Sequence, residues 1–489
     1  MDILLTTINA KWIHPSLALR LLKANLGSLE SACEIIEFAL RQPLEEKVQP
    51  IIAARPRILG LSVSIWNHLQ TLELLKALYT AWQQDSHQYE KWVLAQKPIV
   101  VLGGPEVSWL PEDAEIFHYA DYVIRGEVEE SFRSLCLELL GENKPAWEDK
   151  TRNGNTVFIN RGGTIVDVNK IEAAYRLYTD EDLSKKLVYV EASRGCPFSC
   201  EFCQGSISPV REFPIEAFLA DMETLVRRGT QTFKFLDRTF NLDMERAKRI
   251  MEFFLEKIEE AAVRQEKPPI VHFEMVPSRF PPEMREIIRR FPPGTLRLEI
   301  GIQTLNQQTA ALIHRAGDAE GSIEALEFLR RETNAILHVD LIAGLPGEDL
   351  SSFGAGFDRL WRALSWTSGT GQLCEIQLGI LKCLPGTPIA RHNETHGMRY
   401  SPEPPYEVIE TGALPKTELD SIKNFARFWE LIVNRNPFPD LMKRLLPPEG
   451  SAFDSFMQLS DRLLGRFGRN WGIDRKELKA WLEGALTQS

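Results

Sequence analysis

The chain has 489 residues, 44% hydrophobic and 26% charged, with 68 acidic against 57 basic side chains and a net charge of −11. That is room for two or three domains with full cores, and the negative balance excludes broad, sequence-independent nucleic-acid binding, which needs a positive field. An odd count of seven cysteines, thinly spread apart from one cluster, excludes a secreted disulfide framework.

The N-terminal MDILLTTINAKW has a short apolar run and no basic start, and no stretch of about 20 apolar residues follows, so neither a signal peptide nor a membrane span is expected. The expected compartment is a reducing cytoplasm. MDILLTTI reads as a strand, SLALRLLKANL has helical spacing, and EIIEFAL fits either state. RILGLSVSI is a strand ahead of the helical HLQTLELLKALYTAW, and PIVVLGGPEV is a strand running into a glycine turn. ADYVIRGEVEESFRSLCLELLGE gives a short strand, a turn and a helix. This alternation predicts a doubly wound parallel sheet over residues 1–141, with its ligand end at the strand C-termini.

Residues 142–185 are polar and irregular and predict a linker, in which RNGNTVFINRGGTIVDVN reads as a hairpin outside the core. A second α/β series starts at LVYVEAS and continues through TFKFLD, IVHFEMV, TLRLEIGIQ, ILHVDLIAGLP and CEIQLGILK. Helical stretches such as IEAFLADMETLVRRG and SIEALEFLRRE lie between these strands. Six strand–helix repeats predict a partial α/β barrel over residues 186–395. Residues 396–489, rich in proline and then helical in pattern, predict a mainly helical C-terminal region.

The stretch SRGCPFSCEFCQ places Cys196, Cys200 and Cys203 at C-x3-C-x2-C spacing. Three thiolates do not complete tetrahedral structural zinc. A fourth ligand from Cys374, Cys383 or a histidine would do so, and a free reduced trio is a further alternative. In a [4Fe-4S] cluster three thiolates leave one iron open, whereas electron-transfer clusters mostly have four. An open metal position invites a substrate or cofactor. Cys374 and Cys383, on or after a late strand, read as core thiols, with an added redox role as the alternative. They are too few and badly spaced for a second ferredoxin-like cluster.

With Phe202 before the last cysteine, and the loop following the first strand of the barrel-like series, the chain resembles the radical S-adenosylmethionine (radical SAM) superfamily. The resemblance implies that the open iron chelates the amino and carboxylate groups of SAM. An electron from the cluster then cleaves the sulfonium to methionine and a 5′-deoxyadenosyl radical. It also implies an electron donor such as a flavodoxin or ferredoxin.

The resemblance carries residues with it. Asp237, Arg238 and Thr239 stand where the family places a glycine-rich triplet near the SAM amino group, a departure that leaves main-chain carbonyls as the candidates for that contact. Glu274 in VHFEMVPS matches a contact to the methionine portion, and Gln303 in LEIGIQTLN matches a ribose partner with Glu299 nearby. Arg315 in LIHRAGD fits a salt bridge to the SAM carboxylate. Asp340 in VDLIAGLPGED matches a second ribose ligand, followed by a turn against adenine. CLPGTPIA, residues 383–390, resembles the family's last proline–glycine turn. Singly these are ordinary strand-end carboxylates, a surface amide and a helix-face cation; their order and spacing make the site.

The N-terminal sheet resembles the cobalamin-binding domain that precedes many radical SAM domains. Gly60 and Ser62 form a Gly-x-Ser turn after a strand. Gly103 and Gly104 follow the next strand, where backbone can approach a ligand closely. Gly126 and Glu127 stand at a third strand end. In the family such turns cup the corrin ring and its nucleotide tail. The D-x-H-x-x-G motif is absent, and His14, His68 and His118 are not in that setting, so cobalamin is expected without histidine beneath cobalt. A domain that kept the fold and lost the ligand is the alternative. Asn9, Lys11, His14 and Ser16 also fall at the ligand end, although a helix start around Pro15 and Ser16 explains much of that stretch.

The function implied is that of a cobalamin-dependent radical SAM enzyme transferring a methyl group to an unactivated carbon. In the familiar version one SAM methylates cob(I)alamin and a second yields the radical. The alternatives are a radical SAM enzyme that forms rings or rearranges carbon skeletons, and a non-catalytic iron–sulfur or zinc protein. The substrate is not named by the sequence.

Overall fold

The structure, a computed structural model, describes residues 1–88, 97–141, 152–153, 156–206, 208–315, 317–365, 374–446 and 450–487. The apolar runs of the first 126 residues become β1 (Ile3–Asn9), β2 (Cys33–Ala39), β3 (Ile58–Ser62), β4 (Ile99–Gly103) and β5 (Tyr122–Gly126). Ile3, Leu4 and Leu5 of β1 are all buried, because a sheet covered on both faces needs continuous apolar strands. The ambiguous EIIEFAL is a strand, pairing in parallel with β1. The order β2-β1-β3-β4-β5 reverses direction between β1 and β3, which makes the C-terminal ends of these strands the crevice of the sheet.

Residues 152–164 depart from expectation. β6 (Arg152–Asn153) and β7 (Thr156–Thr164) do pair as antiparallel strands, and the turn between them lies outside the described residues. β7, however, is not outside the core: it extends the sheet in parallel with β5, and Val157, Phe158 and Ile159 are buried. Three adjacent apolar side chains suit a strand covered on both faces, but polar and glycine flanks obscured them. Elsewhere in the same unit, buried Arg20 donates to Glu37 and to Asp182, each at 2.8 Å, tying the first helix to β2 and to the helix Asp180–Lys185.

The second series supplies β8 (Val188–Val190), β9 (Ser193–Cys196), β10 (Ser208–Glu212), β11 (Thr232–Phe235), β12 (Ile270–Met275), β13 (Leu296–Gln303), β14 (Ile336–Ala343) and β15 (Cys374–Ile380). All six expected strands are present, in a sheet ordered β15-β14-β13-β12-β11-β8, while β9 and β10 form a separate pair. Burial alternates along β12, β13 and β14: Leu296, Leu298 and Ile300 are buried, while Arg297, Glu299 and Gly301 between them are half-buried. Period two therefore puts Glu274, Glu299, Gln303 and Asp340 on one face.

The described chain divides into two units, Met1–Ser193 with Arg211–Lys234, and Arg194–Val210 with Phe235–Ser489. Late in the second unit the helices Lys416–Trp429 and Ala452–Phe467 pack Phe425, Trp429, Phe453 and Phe456 around Phe357. A π-helical turn, Glu430–Asn434, follows directly. Its Asn434 accepts from the Ile376 amide at 3.2 Å and donates to the Ile376 carbonyl at 3.0 Å. The buried side-chain amide thus does for edge strand β15 what a neighbouring strand would do. Asn434→Ala is expected to lower stability by about 2 kcal/mol, because it strands buried main-chain groups. The check is the urea unfolding midpoint against wild type.

Candidate functional site

The cysteine loop leaves β9 at a position only glycine fits. Gly195 has φ +98°, and a Cβ there would sit 2.2 Å from the Pro209 carbonyl oxygen. The Cys196 amide donates to Ser208 Oγ at 3.1 Å, and the Cys203 amide closes a turn on the Cys200 carbonyl at 3.1 Å. Each thiol has its own polar partner. Cys196 Sγ lies 3.9 Å from Thr239 Oγ1, Cys200 Sγ accepts from Arg315 Nη1 at 3.5 Å, and Cys203 Sγ accepts from Arg238 Nη1 at 3.7 Å.

One of the two residues between the last two cysteines fastens the loop. Glu201 is 1% exposed, and its carboxylate meets His392 Nε2 at 2.8 Å, His314 Nδ1 at 3.3 Å and the Arg391 guanidinium. Its amide donates to the Ile313 carbonyl, and its carbonyl accepts from the Ile389 amide, each at 3.1 Å. Gln204 Nε2 donates to the Pro385 carbonyl at 2.9 Å. The turn CLPGTPIA is therefore bound to the cysteine loop.

All three cysteines line one cavity of about 150 Å³. Thr239, Glu274, Glu299, Gln303, Arg315 and Asp340 line it too, so six of the seven other residues expected there are brought together. Asp237 is the exception; it is buried and off the cavity wall. Glu274 and Glu299 are register partners on β12 and β13. A bulge between Gly301 and Gln303, with Gln303 at φ +70°, turns the glutamine back over the strand. A Cβ on Gly301 would fall 2.4 Å from the Gln303 amide nitrogen, so the glycine makes room for that side chain. Arg315 Nη2 donates to the Gly301 carbonyl at 2.6 Å, which fixes the guanidinium.

Below the cavity, His272 Nε2 lies 3.2 Å from Glu299, and His338 Nδ1 lies 3.0 Å from Glu375. The two rings stack at 5.4 Å. Although burial opposes it, the hydrogen bond from His338 holds the Glu375 carboxyl below its usual range. Sequence reasoning missed this histidine layer, as it missed Arg238, Phe198 and Ser206 on the cavity wall. Arg238 was visible only as a break in the glycine-rich pattern. Cys374 and Cys383 stay off this wall, and burial pushes the Cys374 thiol up to about 11.

In the first unit the expected ligand-end residues divide. Gly60 is not in a turn; it lies inside β3, where a Cβ would meet Leu5 at 2.7 Å and Phe132 at 3.5 Å, so it is a packing glycine. Ser62 ends β3, and its carbonyl accepts from Thr7 Oγ1 at 2.9 Å. Gly103 ends β4. Gly104, at φ +106°, would place a Cβ 2.5 Å from the Val63 carbonyl, so its freedom serves the neighbouring turn. Gly126 has φ +83° and is exposed at the end of β5. Glu127 pairs with both Nη groups of Arg211, at 2.7 and 2.5 Å, and accepts from the Val166 amide at 2.9 Å.

Asn9 donates to Glu37 at 3.0 Å, Ser16 caps the helix Leu17–Ala24, and His14 Nδ1 lies 2.8 Å from the Tyr189 hydroxyl. Burial, with Lys11 adding to it, holds the His14 pKa below its ordinary value. His68 Nδ1 lies 3.0 Å from Glu106. The feature sequence reasoning missed is a set of half-exposed indoles after β1, β3 and β4: Trp12 (52%), Trp66 (51%) and Trp109 (49%). All three follow strand C-termini, the end at which such sheets bind ligands.

Residues 190–359 match the model of the radical SAM superfamily, and residues 3–136 match that of the B12 binding domain. The chain contains a radical SAM domain preceded by a B12-binding domain. Residues 394–474 match a family described as a protein of unknown function, DUF4080.

Among curated proteins it is 22% identical over 422 residues to the cobalamin-dependent radical SAM methyltransferase TokK of Streptomyces tokunonensis, covering 81% of this chain and 56% of TokK. It is 22% identical over 389 residues to the 2-(S-pantetheinyl)-carbapenam-3-carboxylate methyltransferase of Streptantibioticus cattleyicolor, covering 75% and 53%. The chain thus spans little more than half the length of either relative. Among solved structures it resembles the cobalamin-dependent SAM radical enzyme OxsB with aqua-cobalamin and SAM bound, at TM-score 0.62 and 16% identity, covering 97% of this chain and 76% of that one. It also resembles the methyltransferase TsrM of Kitasatospora setae with tryptophan and a SAM analogue, at TM-score 0.58 and 17% identity, covering 79% and 74%. These likenesses show the fold.

The three cysteines offer the donor chemistry of the iron–sulfur group that a radical SAM domain implies. Among the described residues no three His, Cys, Asp or Glu side chains gather around a single ion. The three thiols share one cavity wall, and each has a polar partner.

Glu348, in the loop after β14, holds the bulge in place. It is 3% exposed and accepts from Thr304 Oγ1 at 2.6 Å, while Thr304 Oγ1 accepts from the Asn306 amide at 2.9 Å. Burial pushes its carboxyl up to about 7. With the folded value raised, its contribution to stability is complete below about pH 4 and is lost as pH rises through 7. Glu348→Gln should therefore gain thermal stability over wild type as pH rises from 5 to 8, by a few kcal/mol at most. Melting curves of both proteins across that range are the check.

Proposed function

We propose that this protein is a cobalamin-dependent radical SAM methyltransferase that acts on an unactivated carbon. The observation that carries this reading is one cavity holding three thiols together with Glu274, Glu299, Gln303, Arg315 and Asp340, in a chain that also has a B12-binding domain. The curated relatives named as methyltransferases support it. When bound, a [4Fe-4S] cluster with SAM supplies a 5′-deoxyadenosyl radical, and cobalamin supplies the methyl group.

The chain's own residues prepare the site. Cys196, Cys200 and Cys203 hold the cluster. Arg315, fixed by the Gly301 carbonyl, offers a guanidinium to a carboxylate beside Cys200. The Gln303 amide and the Asp340 and Glu299 carboxylates offer acceptors for ribose hydroxyls, with Glu299 oriented by His272. Thr239 and Glu274 stand at the methionine side, where main-chain carbonyls of the segment around Asp237 take the place of a glycine-rich triplet. Phe198, Met275 and Val276 form an apolar part of the wall and keep water from it. In the first unit the turns at Ser62, Gly103, Gly104, Gly126 and Glu127, with Trp66 and Trp109 soon after β3 and β4 in the chain, would receive cobalamin; Gly60 contributes by packing within β3. The electron comes from a donor protein such as a flavodoxin or ferredoxin.

The test is anaerobic reconstitution with iron, sulfide and hydroxocobalamin, then SAM and dithionite. 5′-Deoxyadenosine well above a Cys203→Ala control, from protein that retains corrinoid after gel filtration, is the expected result. No 5′-deoxyadenosine overturns the radical assignment. 5′-Deoxyadenosine from protein that retains no corrinoid replaces methyl transfer with a ring-forming or rearranging reaction.

A further inference from the structure

We infer that Arg238 is a positioning residue for the Cys203 thiolate that makes the iron–sulfur cluster easier to reduce. This role rests on the cluster assignment proposed above. Arg238 stands in the loop after β11 and donates from Nη1 to Cys203 Sγ at 3.7 Å. Among the described residues it has no carboxylate partner, so the sulfur is the anion its charge meets.

Its seat is built by a residue of the cysteine loop itself. A Cβ on Gly205 would lie 2.7 Å from Arg238 Nε, 2.9 Å from Cζ and 3.1 Å from Cδ, and those are its three nearest atoms. Gly205 does not have positive φ, so its backbone has no need of glycine. What the position demands is room for the guanidinium.

A cation and a hydrogen bond at a ligating sulfur favour the more negative, reduced cluster over the oxidised one. Arg315 holds Cys200 in the same way but also donates to the Gly301 carbonyl in the wall of the SAM site, so its loss has several effects. Arg238 also lines the cavity, but among the described residues its only hydrogen bond is to the sulfur, which makes its effect separable.

The experiment follows the reduced-cluster EPR signal of the reconstituted full-length protein, without SAM, at potentials set with dithionite and mediators. One electron passes to the oxidised cluster and no bond forms or breaks. At the wild-type midpoint the reduced share in Arg238→Ala is expected to fall from one half to about one tenth, roughly a tenfold change in the equilibrium. Gly205→Ala, which keeps the arginine but displaces it, should shift in the same direction, and Arg238→Lys should recover part of the loss. A Gly205→Ala protein with wild-type iron content and a wild-type midpoint overturns the role, even if Arg238→Ala fails to hold iron. Wild-type protein that takes up no iron and sulfide overturns instead the cluster assignment beneath it.

Discussion

Everything in the barrel-like unit depends on holding three thiols at fixed places on a loop that has no regular secondary structure past Cys196. A loop pays entropy for such order unless other groups impose it. Here Gly195 allows β9 to approach β10 closely, Glu201 roots the loop in a buried cluster of histidine and arginine, and Gln204 ties it to the Pro385 carbonyl. The carboxylate between the last two cysteines is as structural as the thiols are chemical. Burying it in an ion pair is sound only because His392, His314 and Arg391 surround it.

The sheet solves a second problem. Carboxylates and an amide must face one cavity while the opposite face of each strand stays apolar. The alternation of β12, β13 and β14 does this, and the bulge at Gly301 and Gln303 re-aims the last side chain. The charges that alternation turns inward are matched in pairs, His272 with Glu299 and His338 with Glu375. Beneath Gln303, the Thr304–Glu348 bond locks the turn that follows.

Much of this was legible because it is local. The three cysteines declare themselves by spacing, the six strands by period-two or continuous apolar runs, and six further cavity residues by their resemblance to the radical SAM pattern. What was not legible depends on distant contacts. β7 hid because its apolar triplet is short and flanked by polar and glycine residues. Gly60 looked like a turn but answers to Leu5 and Phe132, residues 55 positions before it and 72 after it. Glu127 was expected at a ligand-facing strand end and is held by Arg211. Arg238 read as a defect in a motif, because nothing in the sequence shows that Gly205 clears space for it.

The most direct test of the central claim, three thiolates and one open iron, is EPR of the anaerobically reconstituted, dithionite-reduced protein before and after SAM is added. The account predicts a [4Fe-4S] signal whose g-values change when SAM is added and are broadened by SAM labelled with ¹⁷O in the methionine carboxylate. A signal indifferent to SAM, or a protein that binds zinc in place of iron and sulfide, would contradict it.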